Sequence, residues 1–170
     1  MRKWIIAALL GVSTLAQAYE NARAAEVTFD AVGPAGFKLQ GKTQDLKVEE
    51  NGEQLTVSVF LGKLDTGIEL RNKHMKEKYL EVEKFPQTQL TLKKSDVTNK
   101  GNGELQGSLK LHGVEKPITV KYTAQADGKS VKMQGTFKLN FKDFGISVPT
   151  YLGITVKPDI EVSARFVVDA

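Results

Sequence analysis

The chain has no cysteine, one tryptophan and only two histidines, His74 and His112, in 170 residues. Without cysteine it has no disulfide, no thiolate metal site and no lipid-bearing N-terminal thiol. Its stability must then come from packing. The two histidines have no acidic cluster at ligand spacing, so no metal site with three or four convergent ligands is readable. No glycine-rich phosphate loop occurs either. Ser108 and His112 share a strand face. Four residues at about 3.3 Å each put them roughly 13 Å apart, too far for a nucleophile–base pair. Asp143 has no partner base. These absences set the expectation of a protein that is not an enzyme and carries no cofactor.

A surplus of one charge is also lacking. The formal net charge is +4 and the sequence pI about 9.2. Arg2 and Lys3 lie in a segment expected to be removed, and taking them from the 24 cations leaves 22 against 20 acids. So small an excess gives no footing for nucleic acid. The one strongly apolar run is residues 4–16, too short for the roughly 18–20 residues a membrane span needs. With Met1, Arg2 and Lys3 before it and Ala16-Gln17-Ala18 after it, the run reads as a secretory signal over residues 1–18. The expected layout is a signal peptide over 1–18, a flexible segment over 19–25 and one β-barrel domain over 26–170. An exported chain without cysteine is compatible with a bacterial periplasm, and no stable membrane insertion is expected.

What is present is alternation. In residues 104–126, Leu105, Gly107, Leu109 and Leu111 alternate with polar residues. After a turn at residues 113–117, Ile118, Val120, Tyr122 and Ala124 do the same. Period-2 alternation means a strand with one apolar face. The same pattern predicts a hairpin over residues 26–41, a short strand over 42–48, and strands carrying Leu55, Val57, Val59 and Leu61, then Leu90 and Leu92. It continues through Val131, Met133, Gly135, Phe137, Leu139 and Phe141, and through Ile160, Val162, Ala164, Phe166 and Val168. From 70 to 83 the period changes: Met75, Tyr79 and Val82 recur at helical spacing among charged residues, predicting one amphipathic helix that ends before Phe85-Pro86. About eight antiparallel strands with one short helix make an all-β barrel or sandwich. A barrel of that size fills its interior or holds one small ligand.

Three segments carry a family resemblance. The first joins Asp65-Thr66-Gly67, Arg71-Asn72-Lys73-His74-Met75-Lys76 and Tyr79-Leu80-Glu81-Val82-Glu83-Lys84-Phe85-Pro86. The second is Gly107-Ser108-Leu109-Lys110-Leu111-His112-Gly113-Val114-Glu115-Lys116-Pro117-Ile118-Thr119-Val120. The third is Asp143-Phe144-Gly145-Ile146. With these motifs in order, the chain resembles the YceI-like family of exported bacterial proteins. The resemblance implies a lipocalin-like antiparallel β-barrel with an elongated apolar cavity. It also implies a bound polyisoprenoid, isoprenoid quinone or related amphiphilic lipid. The chain departs from the family pattern over residues 27–36 and at Phe141-Lys142, near the expected cavity mouth.

Large or adaptable side chains near the helix and the third segment are the expected ligand contacts: Met75, Tyr79, Leu80, Tyr122, Met133, Phe137, Phe144 and Tyr151. The alternative is a ligand-free periplasmic stress or structural protein with a filled core that acts through its surface. An exposed strand or apolar barrel rim could pair two copies in a homodimer.

Overall fold

The computed structural model describes residues 22–151 and 153–169. The predicted signal segment lies outside the described residues, as does the side chain of Tyr151. The strands are β1 (Arg23–Val32), β2 (Lys38–Thr43), β3 (Leu46–Asn51), β4 (Gln54–Phe60), β5 (Gln87–Lys93), β6 (Gly101–Leu111), β7 (Val114–Asp127), β8 (Ser130–Asn140), β9 (Thr150–Tyr151), β10 (Ile154–Thr155) and β11 (Asp159–Asp169). A short helix, α1 (Glu69–His74), runs directly into one π-helical turn, Met75–Tyr79. Nine strands form one antiparallel sheet in the order β2-β1-β11-β8-β7-β6-β5-β4-β3, and β9 pairs with β10.

The two edge strands of the large sheet are consecutive in the chain, separated only by Gln44 and Asp45. Residues 38–51 therefore behave as one strand that changes partner, pairing with β1 first and with β4 afterwards. The Phe60 N–H donates to the Asp45 carbonyl, and Lys42 and Asp65 exchange backbone bonds across the seam. The sheet is thereby curled upon itself, which removes most of the exposed edge that an open sheet would leave. Counting β2 and β3 as one, eight strands curl around the interior, which matches the strand number expected from alternation and the barrel that the family resemblance implies.

Several boundaries differ from the sequence expectation, each for a local reason. β1 starts at Arg23 rather than 26, because Ala25 is buried in the core and Arg23 reaches both Ser130 and Asp169. The strand expected over 42–48 is displaced to Leu46–Asn51 by the partner change at Gln44-Asp45. The turn expected over 113–117 contracts to His112 and Gly113, at φ 52° and 76°. Such a two-residue turn matches the twist of the strands it joins. A side chain at Gly113 would also sit 2.8 Å from the Phe85 ring. Pro117 consequently lies within β7, opposite Ser108. This is tolerated because β7 pairs with β8 only from Lys121 onward, so no neighbouring strand needs the missing N–H. The helix stops at Tyr79 rather than near residue 83. Glu81 takes a left-handed conformation (φ 45°), and its carbonyl accepts from the N–H groups of Lys84 and Phe85.

Candidate functional site

Inward-facing side chains fill the curled sheet in two clusters. One, at the end holding the β3–β4 and β7–β8 turns, contains Leu55, Leu105, Val120, Tyr122, Met133 and Phe166. The other lies under the helix and contains Leu61, Leu109, Leu111, Phe141, Phe144 and Ile146. Between them runs a belt of half-buried apolar residues: Leu90, Ile118, Phe137 and Val162 pack against both clusters without being fully covered. The belt adjoins a separation in the sheet. β7 pairs with β6 from Val114 and β8 pairs with β11 through Asn140, yet β7 and β8 join only from Lys121 and Thr136. Ile118 and Phe137 stand on the two sides of this splay. Lys116, with the same strand parity as Ile118, is exposed and gives the splay a cationic edge. Part of the interior beside the belt is taken by the chain's own side chains. A Cβ at Gly41, for example, would fall 2.2 Å from the Phe29 ring, so that ring already occupies the space a side chain there would take.

The three segments that carry the family resemblance meet at the helix-side end, around His112. Its Nε2–H donates to Glu81 Oε2 at 2.9 Å, and its Nδ1 lies 3.3 Å from the Phe144 carbonyl oxygen. The Phe85 ring packs on the imidazole with centroids 4.5 Å apart. Both ring nitrogens face acceptors, so a ring protonated on both nitrogens donates to both and a neutral ring to only one. His112 thus joins the helix exit, the β6–β7 turn and the residues after β8. The first segment has a structural task of its own. Asp65 Oδ1 accepts from the Gly67 N–H at 2.8 Å and from Asn72 Nδ2 at 2.7 Å, while Asn72 Oδ1 accepts from the Thr66 N–H and hydroxyl. Arg71 Nε donates to the Thr66 hydroxyl. Together they fix the approach to α1.

Hydrogen bonds hold two of these carboxyls below their ordinary range. For Glu81 the donors are Lys84 first and His112 second; for Asp65 they are the Gly67 N–H and then Asn72. A carboxyl lowered in the folded state contributes stability above its unfolded value, near pH 4, and loses it as pH falls through the lower folded value. The melting temperature should therefore drop as pH falls below about 5. In the double variant Asp65→Asn, Glu81→Gln part of that drop should vanish. Melting curves across this range check the point, and an unchanged slope in the variant would assign the acid sensitivity to other groups.

The predicted contact residues divide between the two ends. Met75, Tyr79 and Leu80 pack on the helix-side cluster that contains Phe144. Tyr79 also ties the helix to β9, since its hydroxyl donates to the Thr150 carbonyl and accepts from the Thr150 N–H. Tyr122 and Met133 are buried in the opposite cluster, where the Tyr122 hydroxyl lies 2.9 Å from that of Thr98. Of the seven predicted residues whose side chains are described, Phe137 alone is in the belt and touches both clusters. The structure thus brings four of them together under the helix and sets two apart. Sequence reasoning passed over the other belt residues, Leu90, Ile118 and Val162, because each reads as ordinary strand core. It also missed Glu50. This carboxylate shares the inner face of β3 with Leu46 and Val48, and its side chain is only 7% exposed. Glu50 Oε1 pairs with Lys94 Nζ, while Oε2 is buried without a hydrogen-bond donor. Strand parity was the available signal, since 46, 48 and 50 fall on one face.

Among the described residues no group of three or more His, Asp or Glu side chains could hold a metal ion, and no helix is long and apolar enough to cross a membrane.

Comparison with solved structures gives the same architecture. A polyisoprenoid-binding domain from Saccharophagus degradans superposes with a TM-score of 0.74 at 14% identity, covering 91% of this chain and 98% of that one. Burkholderia cenocepacia BcnA superposes with a TM-score of 0.67 at 16% identity, over 84% and 95% of the two chains. At these identities the likeness is one of fold. In sequence, a UPF0312 protein of Pseudomonas savastanoi is 31% identical over 140 residues, 78% of this chain. The match spans 65% of that relative, just under two thirds of its length. A UPF0312 protein of Shewanella putrefaciens is 31% identical over 175 residues, covering 87% of this chain and 90% of the relative. The model of the YceI-like domain matches residues 19–168, nearly everything that follows the predicted signal segment, and the chain therefore belongs to the YceI-like family.

Proposed function

We propose that the chain is an exported, periplasmic binding protein that holds the apolar chain of an amphiphilic lipid, such as a polyisoprenoid or isoprenoid quinone, along the inner belt. The observation that carries this reading is the belt itself. Leu90, Ile118, Phe137 and Val162 remain half-covered between two well-buried clusters, and two of them, Ile118 and Phe137, flank the point where β7 and β8 part. An unbranched run of CH2 or prenyl units needs buried apolar area and few polar partners, at about 25 cal/mol per Å² before the costs of association. Lys116 at the splay suits an anionic or hydrogen-bonding head. The polyisoprenoid-binding domain from Saccharophagus degradans has the same fold, which supports the same ligand class. The signal peptide expected over residues 1–18 supports the location.

A second reading is favoured by the Phe29 ring on Gly41, which shows interior space already filled by the protein's own side chains. On that reading the core is complete without a ligand and the protein acts through its surface. Native mass spectrometry of protein purified from its host, followed by organic extraction, separates the two. The expected result is a stoichiometric adduct that extracts as a prenyl or acyl compound. An apo mass that persists after addition of quinone and long-chain lipids overturns the carrier reading in favour of the filled core.

A further inference from the structure

Four large apolar side chains stand about half exposed among the described residues: Phe37, Ile68, Leu70 and Ile154, at 48–53%. They come from three separate connections, and strand direction puts all three at the helix-side end. β1 ends and β2 starts there, β4 ends there before the helix, and β8 ends there before β9 and β10. Hydrogen bonds tie the connections to one another. The Lys157 N–H donates to the Val32 carbonyl at the end of β1, and Tyr79 joins the helix to Thr150. The connections at the opposite end carry none of these exposed side chains.

We infer that this rim docks the protein on a lipid bilayer bearing anionic headgroups, with Phe37, Ile68, Leu70 and Ile154 entering the interface. Two features select a bilayer over a protein partner. The apolar side chains stand on separate tips rather than in one continuous patch, whereas a protein interface has a contiguous packed core. Each tip also has a cation close by in sequence: Lys38 beside Phe37, Lys73 after Leu70, Lys157 after Ile154. An apolar residue below the headgroups with a lysine at the phosphates is the arrangement of interfacial anchors. The charge balance agrees. Residues 33–38, 61–86, 112–113 and 141–158 hold nine Lys and Arg against six Asp and Glu. Two of the acids, Asp65 and Glu81, are engaged in internal hydrogen bonds, and two of the cations, Lys63 and Lys84, in ion pairs, so the surplus of cations stays the same. The helix and the arm between β8 and β11 (residues 141–158), which cover the helix-side cluster, lie within this rim, so docking would present that cover to the membrane. In purpose the inference rests on the lipid-carrier reading, but it is tested separately.

The test is co-sedimentation of the protein purified from its host with vesicles of phosphatidylcholine, with and without phosphatidylglycerol. Protein should pellet with the phosphatidylglycerol vesicles, and less so as salt is raised. The variant Phe37→Ser, Ile68→Ser, Leu70→Ser, Ile154→Ser should bind about tenfold less. All four side chains are exposed, so its circular dichroism and melting curve should match the parent. The docking is overturned if the parent stays in the supernatant, or if the folded variant pellets equally. It is likewise overturned if the parent ignores vesicles and the variant turns a dimer into a monomer, which makes the rim a contact between copies. Native mass spectrometry keeps the two readings apart. A lipid adduct without sedimentation leaves the carrier and removes the docking; sedimentation without any adduct does the reverse.

Discussion

Phe144→Ala should destabilise the protein by about 3–5 kcal/mol, among the largest effects of any single truncation here. Phe144 is 2% exposed and one of the four largest fully buried side chains. Its ring belongs to the cluster under the helix, while its carbonyl faces His112 Nδ1. Truncation leaves a cavity that the surroundings can close only by moving the helix, the arm or the β6–β7 turn. All three are tied to one another through His112 and Tyr79, so relaxation should be incomplete. Urea unfolding should show a lower midpoint with an unchanged slope. A loss below about 1 kcal/mol would mean that the helix and arm settle freely onto the cluster, and that the His112 latch does not hold them.

Lys94→Met should cost about 2–4 kcal/mol, because it leaves the Glu50 carboxylate on the inner face without its cation. Glu50 Oε1 meets Lys94 Nζ, and Oε2 has no donor among the described residues. Lys94 is about one third exposed, which draws the expected value below that of a fully buried pair. The double variant Glu50→Leu, Lys94→Met removes both charges and should recover most of the loss. Chemical unfolding of the parent, the two single variants and the double variant gives the coupling directly. If the double variant is as unstable as Lys94→Met, packing around position 94 rather than the stranded charge is responsible.

The strands were legible wherever one face is buried and the other wet. The run from Val131 to Phe141 alternates without a break, and β8 follows it with Val131, Met133 and Leu139 buried. β5 occupies the residues expected from Leu90 and Leu92. What escaped the sequence depends on partners distant in the chain. The two-residue turn at His112 puts a non-glycine residue at positive φ. A histidine held by Glu81, Phe85 and the Phe144 carbonyl can occupy that conformation, and local propensity cannot foresee those three partners. The helix ended early for a similar reason: its last apolar residues, Leu80 and Val82, bury themselves from a loop rather than from a further helical turn. The belt was invisible because partial cover depends on which neighbouring strands separate. Ile118 and Phe137 read like any other inward residues until β7 and β8 are seen to part.

The pairing of β1 with β11 sets a clock on folding. Arg23 lies opposite Val167, and β11 stands between β1 and β8 in the sheet. The first strand therefore has only the short β2 as a neighbour until the final strand has been made. Contacts that join the two termini are the slowest to form, because the whole intervening chain must be gathered first. A chain cut short before residue 159 would lack the strand that links the N-terminal hairpin to the remaining six strands of the sheet. During synthesis the same order keeps the sheet open until β11 has emerged.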